Sequence, residues 1–378
     1  MKTAEILVIG GGPAGLCATL NAAEMGAKVL LVERDDALGG QLVKQTHMFF
    51  GSEKQYASTR GIDIGKLLIE KIGTYKNVEV LKETTVIGIY EDGVVTLEER
   101  HGGYLKVKPE SIIVATGASE KFLGFPNNDL PGIYGAGAVQ TLMNVYGVKP
   151  GNNVLMVGAG NIGLIVSYQL TQAGVNVVGI VEAAPKIGGY LVHASKVRRM
   201  GIPIYTGHTV KEAHGTDRLT GATIVQLDEK WQQVPGTEKK VDVDVLCISV
   251  GLSPLSELLH QAGCEIKYLA SLSGFVPMRD ENMMTSREGI FVAGDVGGIE
   301  EASSAMVEGY LAGLSAAEWL GYTSEDLEER KMDLKEQLIS LRSGPEGARI
   351  RQGIEQITRP APKVTPRKGH NMAAASGK

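Results

Sequence analysis

Gly10, Gly12 and Gly15 stand in the spacing G-x-G-x-x-G directly after the apolar run Ile6-Leu7-Val8-Ile9, and Glu33 closes a second apolar run over residues 28–32. Each residue type has a task in holding a dinucleotide. Gly10 allows a tight turn, Gly12 presents no side chain to a diphosphate, and Gly15 lets the following helix pack closely on the strand. The diphosphate would meet the free N–H groups and the positive end of that helix. Glu33 is placed to accept hydrogen bonds from a ribose. A glycine triplet alone is a weak signal, because many turns are glycine-rich. Strand, triplet, helix, strand and acid in this order form a much stronger one.

The same constellation occurs a second time. Residues 153–157 lead into Gly158, Gly160 and Gly163, a helical stretch runs to Gly174, a strand covers residues 175–181, and Glu182 ends it. Gly188-Gly189-Tyr190-Leu191 then matches Gly39-Gly40-Gln41-Leu42. Six features repeated in one order mark an internal duplication, two dinucleotide-binding units in one chain.

The elements around these units follow from turns and apolar runs. Residues 78–107 read as short β segments broken by Glu91-Asp92-Gly93 and His101-Gly102-Gly103. Residues 111–117 form a buried strand ending in a small-residue turn, with residues 245–251 as its counterpart. One more strand, residues 289–293, ends at Gly294-Asp295 and precedes a small-residue helix over 303–319. The expected organisation is a discontinuous first domain (1–118 and 272–322), a second domain (119–271), a charged helical extension (323–358) and a disordered basic tail (359–378).

At 378 residues, with 43% hydrophobic residues and 49 glycines, the composition suits two globular domains. The net charge of −5 gives no general reason to expect nucleic acid, and no apolar run reaches the length of a membrane helix. Cys17, Cys247 and Cys264 are scattered without a C-x-x-C. This argues for a reducing cytoplasm and against a redox-active disulfide or a four-cysteine iron–sulfur site on this chain alone. The seven histidines are dispersed, and no metal constellation is visible.

With these motifs, Ala115-Thr116-Gly117 and the run from Thr285 to Asp295, the chain resembles the two-dinucleotide-domain flavoproteins of the pyridine nucleotide-disulfide oxidoreductase superfamily, in the compact arrangement of thioredoxin reductase. The run from Phe275 to Asp280, together with Gly298-Ile299-Glu300-Glu301-Ala302 and the stretch to Ala317, is similar to the FAD-carrying A (α) subunits of heteromeric amine and opine dehydrogenases. That group includes opine oxidase, hydrogen cyanide synthase, sarcosine oxidase and L-proline dehydrogenase; the FAD core of heterodisulfide reductase is more distant. The thioredoxin reductase C-x-x-C is missing here, as are cluster cysteines, so an iron–sulfur relay or second flavin would belong to a partner. The fold class implied is α/β, with two Rossmann-like (FAD and NAD(P)) three-layer ββα dinucleotide-binding domains.

The resemblance also implies residue roles. FAD would lie on the first unit, with Gly10, Gly12, Pro13, Ala14 and Gly15 at the diphosphate, Glu33 at the ribose, Gly40 and Gln41 toward the flavin, Ala115, Thr116 and Gly117 alongside, and Gly294 and Asp295 at the ribityl chain. Glu301 and Ala302 open a helix whose positive end would favour reduced flavin. NAD(H) would take Gly158, Gly160, Asn161, Ile162, Gly163 and Glu182, since a glutamate repels a 2′-phosphate. Lys44 and His47 are candidates for a catalytic role at the flavin, against the plainer reading of a solvated lysine and a loop histidine; Met48-Phe49-Phe50 reads as core. The expected activity is hydride transfer between NAD(H) and flavin, with electrons passed to another member of a homo- or hetero-oligomer. A stand-alone NADH-dependent reductase of a small acceptor and a non-catalytic FAD-bound scaffold, with a second unit that binds nothing, are the alternatives.

Overall fold

Alternation along one strand establishes the layers of the first unit. In the strand Lys2–Ile9, Ile6 and Val8 enter one core and Leu7 and Ile9 another, all at most 4% exposed. A strand buried on both faces belongs to a parallel sheet covered on both sides. The computed structural model describes residues 1–49 and 51–360, without the side chain of Glu346; Phe50 and most of the basic tail (361–378) lie outside the described residues. The parallel sheet runs Val78–Leu81, Val29–Val32, Lys2–Ile9, Gly103–Val114 and Ile290–Val292.

One face of this sheet carries the helices Pro13–Glu24 and Ala302–Trp319. They lie close because Gly309 and Gly313 have no side chain: a Cβ there would come within 2.1 Å and 2.3 Å of the Ala14 and Ala18 carbonyl oxygens. The other face is covered by a β meander. The strand Gly103–Val114 serves both layers, since its first part pairs antiparallel with Val95–Glu99 and its second part parallel with Lys2–Ile9.

The second unit repeats the plan. Its parallel sheet runs Ile204–Thr206, Asn176–Glu182, Asn153–Val157, Val245–Ile248 and Ile133–Gly135. Val154 and Met156 join the core with the helix Asn161–Gln172, and Leu155 and Val157 join the core with the antiparallel strands His208–Gly215 and Leu219–Gln226. Both units are therefore three-layer Rossmann-like domains.

Three boundaries differ from the sequence reading. The second unit is Glu120–Leu252, and among the described residues the chain from Ser253 to Pro360 belongs to the first. Residues 253–271 pack there because Leu259, Ala262 and Cys264 complete the apolar core of Val86, Leu97 and Val292. The charged extension forms two helices that pack on the first unit: Leu327, Leu334 and Leu338 of the helix Leu327–Leu341 enter its main core, and Ile357 of the helix Gly344–Ile357 packs with Leu272 and Val276. Met48, expected in the core, is 56% exposed, while Phe49 is buried. Among the described residues, no helix is long and apolar enough to cross a membrane.

Candidate cofactor sites

The two glycine turns match in their contacts. Gly10 and Gly158 adopt φ of 103° and 109°, the left-handed region that glycine tolerates. A Cβ on Gly15 would sit 1.8 Å from the Gly10 carbonyl oxygen, and one on Gly163 would sit 2.1 Å from that of Gly158. The middle glycines instead border open space. A Cβ on Gly160 would meet nothing within 4 Å, and one on Gly12 would first meet Gly40 Cα at 3.9 Å. Gly12 and Gly160 are the N-caps of the helices that follow, and neither helix start carries a side-chain cap, which leaves first-turn N–H groups for an anion.

The two glutamates repeat this equivalence atom by atom. Glu33 Oε2 accepts the Gly11 N–H at 2.7 Å and its Oε1 accepts the Asp35 N–H at 2.9 Å. Glu182 Oε2 accepts the Ala159 N–H at 2.7 Å and its Oε1 accepts the Ala184 N–H at 2.9 Å. Each carboxylate is thus fixed against its own glycine turn, with lone pairs left for a ribose hydroxyl.

Gly294 and Asp295 follow the strand Ile290–Val292, and Gly294 lies against Ala14: a Cβ on Gly294 would be 2.9 Å from Ala14 Cβ. The Asp295 carboxyl is pushed up to about 7 by burial, with Glu308, Glu300 and Glu301 adding repulsion, while the Glu300 N–H at 3.4 Å opposes the shift. A carboxyl this short of donors suits a ligand that brings hydroxyl groups. The raised value also fixes a sign. Stability from Asp295 is fully present below its ordinary value of 3.8 and is lost as pH rises through about 7. Denaturant unfolding of FAD-free protein should therefore show a decline across that window that Asp295→Asn removes; superimposable pH profiles for the two proteins would refute this.

The remaining sequence candidates are placed unevenly. Gly40 packs on Gly12 at the start of the short helix Gly40–Lys44, and Gln41 is exposed. Ala115 is buried, and a Cβ on Gly10 would come 2.4 Å from its carbonyl oxygen; the Thr116 hydroxyl donates to the Leu255 carbonyl at 2.8 Å, and Gly117 has φ of 71°. Lys44 ends its short helix and the His47 ring stacks on Phe49 at 5.9 Å between centroids. Glu301 is the N-cap of the helix that begins at Ala302. In the second unit, the Asn161 side chain accepts the Tyr190 N–H at 2.8 Å and so ties the Gly188-Gly189 turn to the helix start, while Ile162 is 39% exposed.

Sequence reasoning missed a buried network of Arg279, Glu308, Arg342 and Glu300. Burial opposes ionisation of Glu308, yet Arg279 and Arg342 hold its carboxyl below the ordinary value. The signal was present: Glu308 is a lone acid inside a run of small and apolar residues, and buried charges are retained with partners.

Two uncapped helix starts, each beside a glycine turn and a clasped glutamate, give the chain the form of two dinucleotide-binding units. The family model described as pyridine nucleotide-disulphide oxidoreductase matches residues 4–309, and the chain belongs to that family. It is an oxidoreductase of the FAD- and pyridine-nucleotide-dependent kind. Among relatives, the A-type component of opine oxidase from Agrobacterium tumefaciens is 27% identical over 82% of this chain and 65% of its own length. The HcnB component of hydrogen cyanide synthase from Pseudomonas protegens is 27% identical over 93% of this chain and 77% of its own. The alpha component of sarcosine oxidase from a Corynebacterium species is 27% identical over 84% of this chain and 33% of its own. The chain thus spans just under two thirds of the first of these relatives and one third of the last. Thioredoxin reductase from T. acidophilum has the same fold, with a TM-score of 0.69, 23% identity, and 84% of this chain and 99% of that one covered. L-proline dehydrogenase from P. horikoshii has a TM-score of 0.67 at 22% identity, with 89% and 59% covered.

Proposed function

We propose that the chain is the FAD-carrying electron-transfer subunit of a heteromeric dehydrogenase, with FAD on the first unit, NAD(H) on the second, and electrons passing to a different chain of the complex. The observation that carries this reading is the matching pair of clasps at Glu33 and Glu182, which leaves the second unit as well equipped for a ribose as the first. A carboxylate at that strand end favours a 2′-hydroxyl and repels a 2′-phosphate. Arg198 and Arg199, further along the chain, are exposed at the end of the helix Leu191–Arg199.

Bound in this way, FAD supplies hydride acceptance and single-electron release. The residues of the chain bind and orient. First-turn N–H groups after Gly12 and Gly160 hold the diphosphates, Glu33 and Glu182 the riboses, and Asp295 the ribityl hydroxyls. Thiol chemistry has little support. All three cysteines are free and buried, and burial pushes the Cys17 thiol up to about 12 and raises Cys247 and Cys264 as well, so a thiolate nucleophile is disfavoured.

A partner is supported by the relatives, which are named as subunits of opine oxidase, hydrogen cyanide synthase and sarcosine oxidase. Native mass spectrometry of the protein taken from its own cells should find it with at least one different chain, and steady turnover should require that chain. Isolation alone with full turnover on a small physiological acceptor would overturn this reading and leave a stand-alone reductase.

A further inference from the structure

Glu308 is 2% exposed and lies in the helix Ala302–Trp319 among serine, alanine, glycine and apolar residues. Its Oε2 accepts the Gly294 N–H at 2.9 Å. Its Oε1 accepts from Arg279 at 2.6 Å and from Arg342 at 2.5 Å. Arg342 also forks onto Glu300, Nε to Oε2 at 2.9 Å and Nη2 to Oε1 at 2.7 Å. Glu300 in turn offers its backbone N–H to Asp295 Oδ1 at 3.4 Å. One guanidinium therefore joins two glutamates, one of which contacts the Gly294-Asp295 turn through its carboxylate, Glu308, and the other through its backbone N–H, Glu300.

The family model ends at residue 309, and Arg342 is the C-cap of the helix Leu327–Leu341. Its carbonyl accepts from Arg351 of the last helix, which secures the backbone that presents the fork. Around Asp295 stand the acids Glu300, Glu301 and Glu308. The cations Arg279 and Arg342 both pair with Glu308, and Arg342 also pairs with Glu300.

We propose that Arg342 is a positioning residue of the FAD site: by pairing with Glu300 and Glu308 together, it holds the Gly294-Asp295 turn in the form that accepts the ribityl chain and neutralises acids that would otherwise repel Asp295. The proposal rests on the assignment of FAD to the first unit. A bidentate guanidinium suits this bridge where a lysine would not, because its planar fork meets both oxygens of one carboxylate while a third N–H reaches another. Removing one partner of a buried charge pair leaves the other uncompensated, and that residual charge is the larger part of the penalty.

The test is FAD affinity of the full-length apo-protein, read by quenching of FAD fluorescence, for wild type, R342Q, R342K, E300Q and the double variant R342Q/E300Q. R342Q should bind FAD roughly 10–100-fold more weakly, the usual span of a coupling between two sites. R342K should fall between R342Q and wild type. Restoration is the decisive readout. Replacing Glu300 as well removes a stranded acid, so R342Q/E300Q should bind more tightly than R342Q, whereas a residue that only docks the C-terminal helix would lower unfolding stability and leave the FAD affinity of the folded protein unchanged in every variant. R342Q binding FAD as tightly as wild type, or a double variant weaker than R342Q, would overturn the proposal. Should R342Q fail to fold, R342K carries the test, and wild-type affinity in R342K would overturn it equally. Failure of wild-type apo-protein to take up FAD would instead overturn the assignment of FAD to this chain.

Discussion

Gly15→Ala should yield a protein that no longer keeps FAD through gel filtration. The added Cβ would sit 1.8 Å from the Gly10 carbonyl oxygen and 2.9 Å from its carbonyl carbon. Both are backbone atoms, so no flexible side chain can give way and the turn itself must open. Overpacking of this kind costs typically about 1–3 kcal/mol. The strain falls on the N–H groups that would meet the diphosphate, so a loss of at least about tenfold in FAD affinity follows from each ~1.4 kcal/mol taken from binding. The pyridine nucleotide affinity of the second unit should stay near wild type, because that unit has its own sheet and core. Stoichiometric FAD in purified Gly15→Ala protein would contradict the role given to this turn.

Gly163→Ala is the complementary change and should have the opposite pattern. Its Cβ would sit 2.1 Å from the Gly158 carbonyl oxygen, again backbone on backbone. The variant should purify with a full complement of FAD that dithionite reduces as in wild type. Its reduction by NADH should slow by roughly tenfold or more at limiting NADH, by the same conversion of strain into affinity. Equal rates for the variant and wild type would mean that reducing equivalents do not enter through this unit.

The parts of the fold legible in the sequence were those with local causes. Gly10, Gly15, Gly158 and Gly163 are demanded by close approaches at the strand ends where the chain turns, and the apolar runs before them are buried on both faces. Glu33 and Glu182 were legible for the same reason, since each sits at the end of the strand that follows its turn. Less legible was whatever depends on distant residues. The helix Leu327–Leu341 is rich in charge, and the stripe of Leu327, Leu334, Leu338 and Leu341 reveals the face that enters the core. The true end of the second unit was hidden because residues 253–271 carry no motif and are assigned only by what Leu259 and Cys264 touch.

The ion network at Glu308 shows this limit at the site itself. Arg279, the stretch that carries Glu300 and Glu308, and Arg342 are far apart in the chain, and no local spacing announces that Gly294 will be held by Glu308. What sequence could have offered was the anomaly of an acid in a small-residue helix. Lys44 and His47 show the reverse case, residues of suitable chemistry in a loop whose role depends on where a bound flavin would lie. In the structure Lys44 ends the short helix Gly40–Lys44 and the His47 ring stacks on Phe49.

Anaerobic stopped-flow mixing of the FAD-loaded protein with NADH, followed in the flavin absorption band, tests the central claim most directly. Rapid bleaching is expected with NADH, slower bleaching with NADPH because of Glu182, and reoxidation when the partner chain or an artificial one-electron acceptor is added. A flavin that stays oxidised for minutes in excess NADH would contradict the claim.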